Sequence, residues 1–389
     1  MKTTTKIVSI VLFFAVLVLA ISSGNQKAEW KGKIETEKGV KVIKNPEEPP
    51  YGDIELEIEE DMVLGSEKDE NTMFYRVWDI AVNNQGDIYV LDSGKYRIQK
   101  YDKDGRYVQT IGRQGQGPGE FERPTGLYLD KKGNIYVLGL SKIHLFDRQG
   151  EFVKSFVPQG FVTSFVPDGE GNIITTSYVR AERMRNFGVL VMNPDGEVSK
   201  KIAEFPGIPL IKGGWTLAHD YTPLLRIAAV GDKGFVYGYP LEYKLYRANW
   251  SGENILIIRK DEPYHALSRG ERDKIINERA EITKWPKNIV EEALNLPKHR
   301  PFFNRILVDD KERIYVKRQK SILDESEEEI FDIFGPKGYY LHSTKLSFIP
   351  LVIKGGYLYN TTFSEETGEI KVIRYRVKNW DLIKQGIDS

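Results

Sequence analysis

The chain contains no cysteine. That absence excludes disulfides, zinc–thiolate centres, thiol nucleophiles and a lipid-modified N-terminal Cys. Histidine is scarce, and no two of His144, His219, His265, His299 and His342 stand at the spacing of a metal-ligand pair. An excess of one charge is missing as well. Lys and Arg total 56 and Asp and Glu total 56, so no global field draws the molecule to nucleic acid or an anionic membrane. No nucleic-acid partner is expected.

One apolar run stands out. Lys2 and Lys6 precede Ile7 to Ile21, and Ser22, Ser23 and Gly24 follow, in the order of a secretory signal. The run is shorter than the roughly 20 residues that cross a bilayer comfortably. Residues 1–24 therefore read as a signal peptide or membrane anchor, and the rest as an exported domain. That domain is expected in the periplasm, outside the cell, or anchored with its bulk outside the cytoplasm, touching membrane only if the segment stays uncleaved. Residues 25–52, which include Asn45-Pro46-Glu47-Glu48-Pro49-Pro50, read as a polar linker without a core.

Residues 53–389 carry a repeat. A short apolar strand, a polar turn and a second strand of Ile, Tyr and Val recur as Trp78 to Val90 and Thr125 to Val137. Weaker copies are Phe165 to Ile174, Ile227 to Tyr237, Ile306 to Val316 with Glu312 at the Gly position, and Leu351 to Tyr359. Gly86 and Gly133 lie about 47 positions apart, within the period of a propeller blade. Second hairpins follow, as in Ile98 to Val108 and Ile143 to Val153, with Asp or Asn opening the turn and Gly closing it. Two hairpins per unit predict an all-β, six-bladed β-propeller of four-stranded antiparallel blades. The sixth unit lacks an outer strand, and the alternating Asp53 to Glu59 is expected to supply it and close the ring. Between blades four and five, residues 268–296 lose the strand pattern. Ser268-Arg269-Gly270-Glu271 has the spelling of a capping box, predicting a helix to about Ile282. Pro286 then fits a first helical position, and Ile289, Val290, Ala293 and Leu294 share one face of a second helix.

Two passages in the first units carry a family resemblance. Asp92-Ser93-Gly94-Lys95-Tyr96-Arg97-Ile98-Gln99-Lys100-Tyr101-Asp102 and the Gly-rich crossover Ile111 to Pro124 resemble the NHL-repeat propellers. Blades three to six depart from that spelling. The domain as a whole is similar to exported bacterial six-bladed propellers, which implies a fold but no reaction.

Asp92 and Arg97 flank a loop and read as a structural pair rather than a ligand site. Gly112 to Gly119 lacks a Gly-Lys-Ser/Thr ending and leads into a strand, so it is not expected to cradle phosphate. Counting back from each turn places Arg76, Trp78, Arg123, Arg226, Asn304 and Arg305 at or before the innermost strands. These residues are the candidate ligand-binding set at the channel mouth, where guanidinium forks suit oxyanions and Trp78 offers a stacking face. No catalytic set and no metal set can be assembled. The favoured reading is a non-catalytic binding module with no cofactor, engaging a protein, peptide or glycan. The alternative is a propeller enzyme, a lyase or lactone hydrolase, with a divalent metal in the channel.

Overall fold

Eight of the turns that punctuate the chain are built by one device. In the first blade Asn83 Oδ1 accepts the backbone N–H groups of Gln85 and Asp87, each at 2.9 Å. Asp130, Asp168 and Asp309 repeat this pattern between first and second strands. Asp102, Asp147 and Asn193 accept in the same way between third and fourth strands, and Asn249 accepts the Glu253 N–H there. An Asx side chain thus replaces the missing backbone acceptor and fixes each hairpin's register. Where the fifth blade lacks the turn Gly, Glu312 takes the left-handed conformation itself, at φ 60°. Its carboxylate is held by Lys233 at 2.5 Å and Arg247 at 2.7 Å, both from blade four.

The computed structural model describes residues 29–65, 69, 72–180, 184–209 and 217–387. The expected signal at 1–24 lies outside the described residues. Six sheets are arrayed in chain order. The inner strands are Val77–Val82, Gly126–Leu129, Phe161–Pro167, Arg226–Val230, Phe303–Val308 and Val352–Lys354. Each touches the next, and the sixth touches the first, so the ring is closed. Three further antiparallel strands complete each of the first five blades, as the repeat predicts. Aromatic and branched side chains pack between adjacent blades, among them Tyr89, Ile98 and Phe121 between blades one and two. Phe121 lies so close to Gly112, at φ 77°, that a Cβ there would sit 2.2 Å from the ring.

The sixth blade is closed from the N-terminal side, but by later residues than expected. The closing strand is Ile58–Leu64, antiparallel to Ile370–Val377, rather than Asp53 to Glu59. Asp61 sets that register, because Arg374 and Arg376 grip its carboxylate at 2.5 and 2.9 Å. Asp53 to Glu57 instead runs past blade five, with Ile54 N–H donating to the Ser343 carbonyl at 2.8 Å.

The reading of residues 25–52 as a linker is corrected over its described part. Lys33–Glu37 and Val40–Asn45 form a hairpin, and the second of these pairs in parallel with Asn254–Lys260 to widen blade four to six strands. Val42 and Ile43 are buried there. Asn45, fully buried, accepts from Trp30 Nε1 and Tyr340 N and donates to the carbonyls of Arg259 and Gly338. One side chain therefore joins the hairpin to blades four and five, which a lysine-rich sequence does not advertise.

The insertion is helical as predicted. Helix α1 spans Arg269–Thr283 with both bonds of the Ser268–Glu271 capping box formed. Helix α2 spans Lys287–Leu294, and Pro286 stands one position earlier than expected, as the N-cap. Val290, Ala293 and Leu294 are buried, whereas Ile289 is exposed. Ile275, Ile276, Val290 and Leu294 pack against Tyr221 and Leu267 in a satellite core. No helix among the described residues is long and apolar enough to cross a membrane.

Candidate functional site

The ring encloses a central channel of about 1360 Å³. Because inner strands run in one direction, their starts share one end of the channel and their turns share the other. The turn end is lined by Asn83, Asp130, Asp168 and Asp309, whose side chains are engaged by their own backbones. These Asx side chains read as scaffold rather than as ligands.

The channel walls between the ends carry three charges close to one level. Asp79 and Arg305 occupy equivalent places in blades one and five, each four residues before its turn Asx, and Arg226 lies in blade four. Asp79 Oδ2 accepts the Leu127 N–H and Oδ1 the Ile80 N–H, each at 2.9 Å. Burial pushes the Asp79 carboxyl up to about 6 against those two hydrogen bonds and the pull of Arg305. Burial lowers the Arg226 guanidinium to about 10, with Arg305 adding repulsion. Arg305 is also lowered by burial, opposed by Asp79. Arg226 Nε is buried without a hydrogen-bond partner, and neither Arg226 nor Arg305 makes an ion pair among the described residues. Two partly buried cations from neighbouring blades thus line one cavity with one carboxylate near them.

Of the six residues read from the sequence, the structure puts Arg226 and Arg305 in the channel wall. Arg76, Trp78 and Arg123 are exposed just before or at the starts of their inner strands, outside the channel lining. Asn304 donates to Gln319 Oε1 at 2.7 Å and also lies outside it. Asp79 was missed, although its repeat position matches that of Arg305.

The Asp92–Arg97 pair is structural, as read. Asp92 is fully buried, 3.5 Å from Arg97, and accepts the N–H groups of Tyr75 and Arg76, while Arg97 donates to the Met73 carbonyl. The pair holds the chain entering blade one. The Gly-rich crossover closes on its own Glu120, which accepts from Gly117 N–H at 2.9 Å and pairs with Arg113 at 2.8 Å. A phosphate would have to displace that carboxylate. His144 is buried against Phe121, and burial lowers its pKa to about 4. No group of three His, Asp or Glu side chains placed to hold a metal occurs among the described residues.

The end at which inner strands begin looks different from the turn end. Second strands run antiparallel to inner ones, so their last residues share this face. Tyr75 and Trp78 of blade one, Leu140 of blade two, Phe161 of blade three and Phe363 of blade six are all exposed on it, Trp78 at 51% and Phe161 at 60%. Tyr264, packed on Phe302 at the entry to blade five, is exposed as well, and the insertion exposes Trp285.

Residues 67–204 match a family described as 6-bladed beta-propeller. Over 132 residues, 31% of this chain, the sequence is 30% identical to the protein brain tumor of Drosophila melanogaster. The match spans only 12% of that relative's length. Among solved structures, a candidate exported protein of Bacteroides fragilis superposes with a TM-score of 0.54 at 14% identity, covering 87% of this chain and 100% of that one. A member of the DUF4221 family from Bacteroides vulgatus gives 0.52 at 16% identity, covering 83% and 99%. At these identities the likeness concerns the fold.

Proposed function

We propose that the chain is an exported, NHL-like β-propeller that works as a non-catalytic binding module at the cell envelope or outside the cell. It engages a protein, peptide or glycan with the face on which the inner strands begin, and it needs no cofactor to do so. The observation that carries this reading is the asymmetry of the two channel ends. One end is finished by self-satisfied Asx turns, whereas the other gathers exposed aromatics from blades one, three and six with the helical insertion beside them. Large exposed apolar side chains gathered on one face of a folded domain favour an interaction site there. Arg76 and Arg123, exposed on the same face, supply charge at its rim. The metal-enzyme alternative finds no donor set among the described residues to favour it.

Capture of partners from the chain's native envelope tests the reading. Wild type and a Trp78→Ala, Phe161→Ala, Tyr264→Ala variant would be compared by quantitative mass spectrometry, each first shown to be folded. The variant is expected to lose enrichment of its specific partners by about tenfold or more, as removal of buried aromatic anchors does. An unchanged capture profile would remove this face from the account.

A further inference from the structure

The channel holds a second and chemically narrower feature. Arg226 and Arg305 come from neighbouring blades, lie in the wall of the same cavity, and make no ion pair among the described residues. Guanidinium groups held partly buried without counter-ions are costly to keep, since drawing a charge out of water without a partner destabilises the fold that contains it. Of the other cations that line the cavity, Arg148 is exposed at the turn end, Lys131 and Lys132 pair with Glu170, and the remaining two are engaged. Lys354 donates to the Val82 carbonyl and to Asn84, and Lys100 lies 3.7 Å from Asp87. The two arginines are left facing open space with their forks available.

We propose that this level of the channel is a binding site for a monocarboxylate group, gripped by Arg226 and Arg305, with Asp79 as a proton-linked competitor for the same cations. The charge count selects the ligand class. Two guanidinium groups and one ionised carboxylate leave a net charge of +1, which a carboxylate neutralises and a dianion such as sulfate overshoots. The planar two-oxygen edge of a carboxylate also matches a guanidinium fork. The cavity, at about 1360 Å³, has room for a sugar or a peptide end behind that group.

Asp79 gives the site a pH response whose sign is fixed. The charged group that faces it is Arg305, from the inner strand of blade five, and Arg226 of blade four neighbours Arg305. Leu127 from blade two and Ile80 on its own strand supply backbone donors only. Below about pH 6 Asp79 takes up a proton and stops competing, so an anion binds more tightly there and less tightly above. Protonation also raises the net charge to +2, which should bring sulfate into range at low pH.

This site rests on reading the channel as part of a binding module, but it is tested without the partner. Purified protein in chloride-free buffer would be titrated calorimetrically with glucuronate and with sulfate at about pH 7.5 and about pH 5.5. Glucuronate is expected to bind at both, about fivefold more tightly at the lower pH, with sulfate binding only there. Arg226→Ala and Arg305→Ala should each weaken glucuronate by about tenfold or more, and Asp79→Asn should tighten it at the higher pH and abolish the pH response. Binding that ignores Arg226→Ala and Arg305→Ala, or sulfate preferred over glucuronate at the higher pH, overturns the proposal, as does an absence of glucuronate binding. Thermal unfolding of each variant separates a folding defect from a lost contact. Capture unchanged in the aromatic variant while glucuronate still binds would remove the face and leave the channel site standing, whereas capture lost in that variant with no glucuronate binding to wild type would sink this site alone.

Discussion

Arg313→Met is expected to lower the unfolding free energy by about 3–5 kcal/mol, the cost of breaking a buried pair by removing one partner. Arg313 is fully buried in blade five. Its Nε donates to Asp309 Oδ2 at 2.7 Å, its Nη1 donates to the Ile383 carbonyl at 2.8 Å, and its guanidinium lies 4.1 Å from the Trp380 ring centroid. It therefore ties the inner turn of blade five to the helical turn Trp380–Leu382 near the C-terminus. Asp309 loses its only charged partner among the described residues in the variant, while its contacts to Lys311 N, Arg313 N and Tyr315 OH remain. Burial already raises the Asp309 carboxyl above its ordinary range, so the abandoned group takes up a proton more readily still. Urea unfolding followed by tryptophan fluorescence measures the change. A loss below about 1 kcal/mol, the size of an exposed ion pair, would show that the cluster is not a buried clamp.

Glu271→Ala should release the helical insertion from the propeller. The side chain is buried at the start of α1, where it accepts from Ser268 N, Tyr221 OH and Ser321 Oγ, at 2.9, 2.6 and 2.8 Å, with Arg300 at 3.5 Å. Burial pushes its pKa up, but these donors outweigh burial and bring it down to about 2, from an unfolded value near 4.5. A depressed carboxyl stabilises the fold above its unfolded pKa and loses that contribution as pH falls through its folded pKa. The contribution, about 3 kcal/mol by linkage, is thus complete at neutral pH and fades between about pH 4.5 and about pH 2. In the Ala variant the acid-side slope from this group should vanish, and amides of α1 and α2 should exchange with solvent much faster than those of the blades. Equal protection of the insertion in variant and wild type would mean that α1 is held by Ile275 and Ile276 alone.

The blades were legible where local chemistry decides local structure. Asp or Asn followed by Gly spelled the turns because the acceptor and the left-handed residue are both side-chain properties, and Ser268 with Glu271 spelled a helix start for the same reason. Pairing between distant segments was harder to read. Alternation in Ile54, Leu56, Ile58, Met62 and Leu64 fits several registers, and the ion pairs of Asp61 with Arg374 and Arg376 pick one. The hairpin at Lys33–Asn45 is charged along one side, and its burial depends on blade four and on the four hydrogen bonds of Asn45. At the site, position in the repeat found Arg226 and Arg305 but also collected Arg76, Trp78, Arg123 and Asn304, because counting residues does not say where a wall ends and an outer face begins. Aligning the units on their turn Asx, rather than searching for cations, would have added Asp79.

The claim beneath all of this is that the strand Ile58–Leu64 closes the ring by pairing with Ile370–Val377. Since the chain has no cysteine of its own, Val63→Cys with Ile373→Cys introduces one pair at partnered positions, where antiparallel Cα atoms stand about 4.5–5.5 Å apart. Under mild oxidation of dilute protein, an intramolecular disulfide is expected in nearly all molecules, with a higher unfolding midpoint than in the reduced form. Free thiols, or a disulfide found only between molecules, would contradict the closed ring and every site placed inside it.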